Sequence, residues 1–109
     1  MSTITPDQHP QFIEASAALM NALCNASRLQ ILTILSEREI SVRPLGELVG
    51  LTQSALSQHL AKLRAARLVT TRRDSTTVYY RCESPAVAKI LAMLSGFFDP
   101  AEHEVTEAA

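Results

Sequence analysis

The chain has 109 residues, 47% of them hydrophobic and 19% charged, and its formal net charge at pH 7 is −1. A chain of this length has room for one domain. No stretch approaches the about 18 uninterrupted apolar residues of a membrane span, and the first residues lack the basic and apolar regions of a signal peptide. Cys24 and Cys82 fit neither a CxxC nor a zinc spacing, and free thiols suit a reducing cytoplasm, where we expect the protein to act.

Residues 1–9 are polar, contain Pro6 and are expected to be disordered. A first helix is predicted from about Pro10 to Cys24. Its apolar residues form two adjoining stripes, which together are wider than one core contact requires. This width indicates a second partner for the helix, although a well-covered central helix would show the same pattern.

A second helix is predicted from Arg28 to about Glu37, with Asn25 or Ser27 as its N-cap. Its LQILTIL run is apolar nearly all round and belongs at the centre of the domain.

Ser41 and Val42 are expected to form a short extended link, and Pro44 to open a third helix over Pro44–Val49. Gly50 follows, where glycine can take the left-handed conformation that ends a helix.

The next predicted helix runs from Gln53 to about Ala66 with Thr52 as its N-cap, and three leucines spaced at i, i+4 and i+7 face inward. The opposite face is polar or small: Ser54, Ser57, Gln58, Ala61 and Ala65. A short helix, a glycine turn and a helix of this kind specify a helix-turn-helix, because small residues allow close approach to DNA while hydroxyl and amide groups can hydrogen-bond base edges.

Two β-rich runs, residues 68–73 and 76–82, are joined across Asp74-Ser75 and predict a hairpin that would serve as the DNA-contacting wing. Ser84 and Pro85 then open a last helix with one apolar stripe. That stripe consists of Val87, Ile90, Leu91, Leu94, Phe97 and Phe98. The acidic residues 99–109 are expected to be a disordered tail.

Positive charge is concentrated in one third of the chain. Residues 51–82 carry six Lys or Arg and one Asp, a net charge of +5, whereas residues 99–109 carry four acids and no Lys or Arg. A local field of this kind is typical of a nucleic-acid binding surface, which the whole-chain average hides.

The segments NASRLQIL, VGLTQSALSQHLAKLRAARLV and TTRRDSTTVYYR, between Asn25 and Arg81, resemble the ArsR/SmtB family of winged-helix repressors, and most closely its rhizobial nodulation-repressor subgroup. The resemblance implies a mainly α fold of the α+β type, a winged helix-turn-helix of about five helices and a two-stranded β-wing over residues 10–98. It also implies a homodimer that represses transcription by occupying an imperfect palindromic, AT-rich operator in double-stranded DNA, with no enzymatic activity.

Two sets of residues follow from this interpretation. The expected DNA contacts are Gln53, Ser54, Ser57, Gln58, His59, Lys62, Arg64, Arg72, Arg73, Thr76 and Thr77. The expected dimer contacts, in the first and last helices, are Phe12, Leu19, Met20, Leu23, Val87, Leu91, Leu94 and Phe98. For His59, packing within the protein is nearly as plausible as a phosphate contact. For Lys62 and Arg64, ion pairing with other side chains on the helix surface is nearly as plausible as a phosphate contact.

The family's sensor ligands are missing from their usual places. The segment from Glu39 to Leu45 lacks the cysteine pair of metal-sensing relatives, and Thr33 and Asp99 occupy the positions of the sulfur-sensing cysteines. We therefore expect no metal, no cofactor and no thiol trigger. Two alternatives remain open: a sensor that responds to an effector or to oxidation of a cysteine, and a winged-helix module that binds another protein.

Overall fold

The computed structural model describes residues 10–98; the predicted disordered ends, residues 1–9 and 99–109, lie outside that range. The elements are α1 (Pro10–Leu23), α2 (Ala26–Glu37), β1 (Ile40–Ser41), α3 (Val42–Val49), α4 (Gln53–Ala65), β2 (Thr70–Asp74), β3 (Thr77–Arg81) and α5 (Pro85–Phe97). The three strands form one antiparallel sheet in the order β1-β3-β2. The predicted mainly helical winged helix-turn-helix is confirmed, with one strand more than expected.

Helix α2 lies at the centre, as its all-round apolar sequence predicts. Ile31, Leu32 and Leu35 are fully buried. The Asn25 side chain accepts a hydrogen bond from the backbone N–H of Arg28 at 3.0 Å, so Asn25 is the N-cap. Helices α1, α4 and α5 all pack against α2, which therefore sets their relative positions.

The expected extended link is right for Ser41, which lies in a strand, and wrong for Val42, which is the first residue of α3. Ile40 pairs with Tyr80 and Ser41 with Tyr79, which adds β1 to the sheet. Helix α3 begins directly afterwards at Val42, two residues before the predicted start. Pro44 is thus its third residue, still within the first turn, where a backbone N–H has no intrahelical partner to lose.

Gly50 ends α3 at φ +69°, the left-handed conformation predicted for it. Helix α4 then begins after Thr52, whose hydroxyl accepts a hydrogen bond from the backbone N–H of Ala55 at 3.2 Å. The inward leucines of α4 are buried as predicted: Leu56, Leu60 and Leu63. They fix which face of α4 points away from the core.

The predicted hairpin turn is displaced by one residue. Asp74 pairs with Thr77, so it belongs to β2, and the two-residue loop is Ser75-Thr76. Ser75 has φ +59°. A two-residue hairpin loop requires positive φ within the loop, and Ser75 supplies it, which lets pairing continue through Asp74.

Helix α5 opens with the predicted cap: the Ser84 hydroxyl accepts a hydrogen bond from the N–H of Val87 at 3.3 Å, and Pro85 is the first helical residue. Val87 is fully buried, which anchors the start of α5 in the core. Among the described residues, no helix is both long and apolar enough to cross a membrane.

Candidate nucleic-acid interface

The outward face of α4 is polar and exposed along its length. Gln53, Ser54, Ser57 and Gln58 all lie on the surface, although Leu56 between them is buried. None of these four side chains has a hydrogen-bond partner among the described residues. Their donors and acceptors are therefore available to a ligand from a rigid helix.

Small residues continue the same face toward the end of α4. Ala61 and Ala65 are exposed and, with Ser57 and Arg64, border a groove of about 410 Å³ whose other wall includes Tyr80 of the wing. Lys62 and Arg64, in the last turn, have no carboxylate within 4 Å in the described part of the chain. Both cations complement the helix dipole and leave this end of the face positive.

The tip of the wing meets the start of α4 across a larger groove of about 890 Å³. Gln53 lines it from α4, and Thr76 and Thr77 line it from the hairpin. Residues expected to contact DNA thus come from two elements that are separate in sequence and share one concave surface. Arg43 of α3, which sequence reasoning did not select, lines the same groove and is exposed.

Arg72 differs from the other predicted DNA contacts because it already has an ionic partner. Its Nε donates to Oε2 of Glu39 at 3.0 Å and its Nη2 to Oε1 at 2.6 Å, while the guanidinium lies 4.7 Å from the centre of the Tyr79 ring. The hydrogen bond from Arg72 lowers the pKa of Glu39. The ion pair between Arg72 and Glu39 joins the wing to the residue that precedes β1, and Glu39 balances the charge of Arg72. Arg73, in contrast, is exposed and has no carboxylate partner within the described range.

His59 lies on the flank of α4, half-buried, with its Nδ1 3.4 Å from Nη1 of Arg28. Burial lowers its pKa below the ordinary 6.5, and the positive charges of Arg28 and Lys62 lower it further. The imidazole is therefore neutral at pH 7. As a neutral group, His59 can serve DNA as a hydrogen-bond partner and not as a cation.

We expect this histidine to make stability depend on pH. The unfolded chain takes up the proton near pH 6.5 but the folded chain only at lower pH, so the free energy of unfolding falls as the pH drops through 6.5. It stops falling once the pH is below the lowered pKa, and above pH 6.5 the stabilisation is fully present. Urea unfolding measures the free energy of unfolding at each pH between 8 and 5.5. This free energy should fall less with decreasing pH for His59→Gln than for the unaltered protein. An equal fall for both proteins would contradict a lowered pKa for His59.

The apolar surface of α1 and α5 is extensive. Their exposed large apolar side chains are Phe12, Ile13, Met20, Met93, Phe97 and Phe98, each between 42% and 69% exposed. Leu19, Leu91 and Leu94 are half-buried beside them. The predicted dimer contacts Leu23 and Val87, in contrast, lie in the core of the single chain, at 5% and 0% exposed, so they support its fold.

The two cysteines lie in different surroundings. Cys24 follows α1 and is exposed, while Cys82 follows β3 and is buried within the hydrophobic core. Both are free thiols. Cys82 is a small core residue, whereas Cys24 is exposed in the single chain. Within residues 10–98, no three His, Cys, Asp or Glu side chains are grouped so that they could hold a metal ion.

Comparison with known proteins places the chain among regulators. Residues 25–71 match the model of the bacterial regulatory protein, arsR family. The nodulation protein NolR of Rhizobium meliloti is 48% identical over 98 residues, which cover 90% of this chain and 80% of that protein.

Solved structures agree with this result. The crystal structure of NolR from Sinorhizobium fredii superposes with a TM-score of 0.80 at 47% identity, over 90% of this chain and 97% of the other. The homodimeric winged helix-turn-helix DNA-binding domain Mb0332 from Mycobacterium bovis, solved by NMR, gives a TM-score of 0.74 at 30% identity over 91% of each chain.

Proposed function

The chain belongs to the ArsR family of bacterial regulatory proteins, and on that basis we propose that it is a cytoplasmic repressor that acts as a homodimer on an imperfect palindromic, AT-rich operator. The observation that supports this most is the outward face of α4, where exposed Gln and Ser side chains are followed by exposed alanines, opposite a row of buried leucines. Such a face suits the major groove, where amide and hydroxyl groups can hydrogen-bond base edges.

Gln53, Ser54, Ser57 and Gln58 are the proposed base-reading residues, and Ala61 with Ala65 would allow the helix backbone to approach the duplex. His59 and Lys62 would contact phosphates on the flank of α4 that faces Arg28. Arg64 lies on the flank that faces the wing, and it would contact phosphates there together with Arg73, Thr76 and Thr77. Arg72 would act mainly through Glu39, by holding the wing in place. Phosphate contacts position the protein, and base contacts determine sequence preference.

Dimerisation would bury the exposed apolar surface of α1 and α5, with Phe12, Met20 and Phe98 among its contacts. Leu19, Leu91 and Leu94 would lie at the base of this interface. Two copies would place their α4 helices about one turn of DNA apart on one side of the duplex. With six to nine phosphates neutralised in total, log affinity should fall with log salt with a slope of roughly −5 to −8.

Selection from a pool of random duplexes tests this function directly. The protein is expected to enrich a two-fold symmetric, AT-rich sequence with half-sites about one helical turn apart. Failure to enrich any sequence would overturn the proposal. Enrichment of a single unsymmetrical site would overturn the homodimer.

The two neighbouring arginines of the wing should differ in effect. Arg73→Ala is expected to weaken binding to the operator and to a random duplex by the same factor, and to reduce the steepness of the salt dependence by about two in a dimer, one for each subunit. Arg72→Ala should change the salt slope less, because Glu39 already balances its charge. Fluorescence anisotropy titrations across a range of salt concentrations measure both; an equal change in slope for the two variants would contradict the assignment.

A further inference from the structure

We propose that Arg28 is a positioning residue for operator recognition: it joins the carboxyl end of α1 to His59 of α4, and so fixes the recognition helix relative to the helix that carries dimer contacts. This inference rests on the proposed function and adds to it a residue that lies on neither the DNA surface nor the dimer surface.

Arg28 is the most buried charged residue of the described range, at 9% exposed. Its Nε donates to the carbonyl oxygen of Ala22 at 2.6 Å, and its Nη2 donates to that of Asn21 at 3.1 Å. The last carbonyls of a helix lack intrahelical partners and carry the negative end of its dipole. The guanidinium is thus held by the end of α1, with no carboxylate within 4 Å among residues 10–98.

The remaining contact of Arg28 is with α4. Its Nη1 lies 3.4 Å from Nδ1 of His59. Since a guanidinium has donors only, Nδ1 must be the acceptor and must be unprotonated. The charged groups that face His59 are Arg28 from α2 and Lys62 from α4 itself, both positive, and α1 contributes only carbonyl oxygens to this cluster. The contact therefore exists only while His59 is neutral.

The position of this contact in the fold gives it a consequence for DNA binding. Helix α1 packs on α2, and α2 packs on α4; Arg28, in the first turn of α2, touches the other two helices at once. In a dimer held through α1 and α5, the distance between the two α4 helices depends on the angle between α1 and α4 in each subunit. Fixing that angle should favour operators with one half-site spacing.

The test compares three duplexes: the operator selected by the unaltered protein, and the same operator with one base pair inserted or deleted between its half-sites. One base pair moves a half-site by about 3.4 Å and turns it around the helix axis, so we expect the unaltered protein to prefer the native spacing at least tenfold at pH 7.5. His59→Ala and Arg28→Met should each reduce this preference at least threefold. Arg28→Met should do so by weakening binding at the native spacing while binding to the altered duplexes changes less than twofold, because Arg28 is buried and touches no DNA. His59→Ala should in addition weaken binding to all three duplexes, because it also loses a phosphate contact. Lys62→Ala, on the same helix, should weaken binding to all three duplexes equally.

A pH series separates positioning from general support of the fold. As the pH is lowered from 8 to 5, the spacing preference of the unaltered protein should fall once the pH is below 6.5, because protonation of His59 breaks its contact with Arg28, whereas His59→Ala should show a low preference at every pH. If both variants keep the full spacing preference, even with lower overall affinity, the inference is wrong while the proposed function stands. If the unaltered protein shows no spacing preference, the dimeric operator function fails and this inference with it. Should Arg28→Met not fold, His59→Ala decides alone.

Discussion

Replacing Met20 by glutamate is expected to convert the homodimer into a monomer and to lower operator affinity more than a hundredfold. Met20 is 58% exposed on α1, so the substitution disturbs little of the chain's own core, and glutamate is a good helix former. In a dimer, however, the carboxylate would be buried among apolar side chains without a partner, which is strongly unfavourable. Loss of the second half-site then removes the gain from bivalent binding, commonly a factor of 10² to 10⁴.

Light scattering measures the first effect and anisotropy titration the second. The unaltered protein should have about twice the chain mass of 11.9 kDa, and Met20→Glu the mass of one chain. Leu48→Glu is the matched control for the light-scattering measurement and should keep the mass of a dimer. Leu48 is a similarly exposed apolar residue, at 48%, but it lies on α3, outside α1 and α5. A Met20→Glu protein that stays dimeric would contradict the proposed interface, and so would an unaltered protein that is already monomeric.

Replacing Gln58 by alanine should reduce sequence preference while leaving general DNA binding intact. A bidentate amide contact to an adenine edge contributes about 1–3 kcal/mol of discrimination, which corresponds to roughly 5- to 150-fold for each half-site. Gln58 is exposed and has no hydrogen-bond partner among the described residues, so its loss should cost the fold little.

The measurement is the ratio of affinities for the selected operator and for a random duplex of equal length. Gln30→Ala makes the same chemical change at an exposed position of α2, outside α4 and the wing, and should leave this ratio unchanged. An equal loss of affinity on both duplexes for Gln58→Ala would show that Gln58 contacts the backbone instead of a base.

The helices could be predicted from sequence because their determinants are local. Thr52 and Ser84 cap helices by accepting hydrogen bonds from N–H groups three residues ahead, and Gly50 ends α3 in a conformation that suits glycine. The leucine spacing of α4 also defines which face of the helix is buried. The opposite face is therefore the one that is exposed and available to DNA. These features lie within a few residues of one another, so sequence patterns reveal them.

The missed features depend on residues distant in sequence. Strand β1 has only two residues and exists because Ile40 meets Tyr80, and the pairing of Arg72 with Glu39 depends on that same sheet. The apolar pattern of α1 predicts both Leu23 and Met20 as dimer contacts, but only packing against the other helices buries the first and leaves the second exposed. Nor does any local pattern mark Arg28 as a buried residue.

Hydroxyl-radical footprinting on the selected operator tests the central claim most directly, since that claim is that two copies of α4 occupy neighbouring major grooves. The account predicts two protected regions, symmetric about the operator centre, about one helical turn apart and on the same side of the duplex. One isolated region of protection, or uniform protection along the duplex, would contradict it.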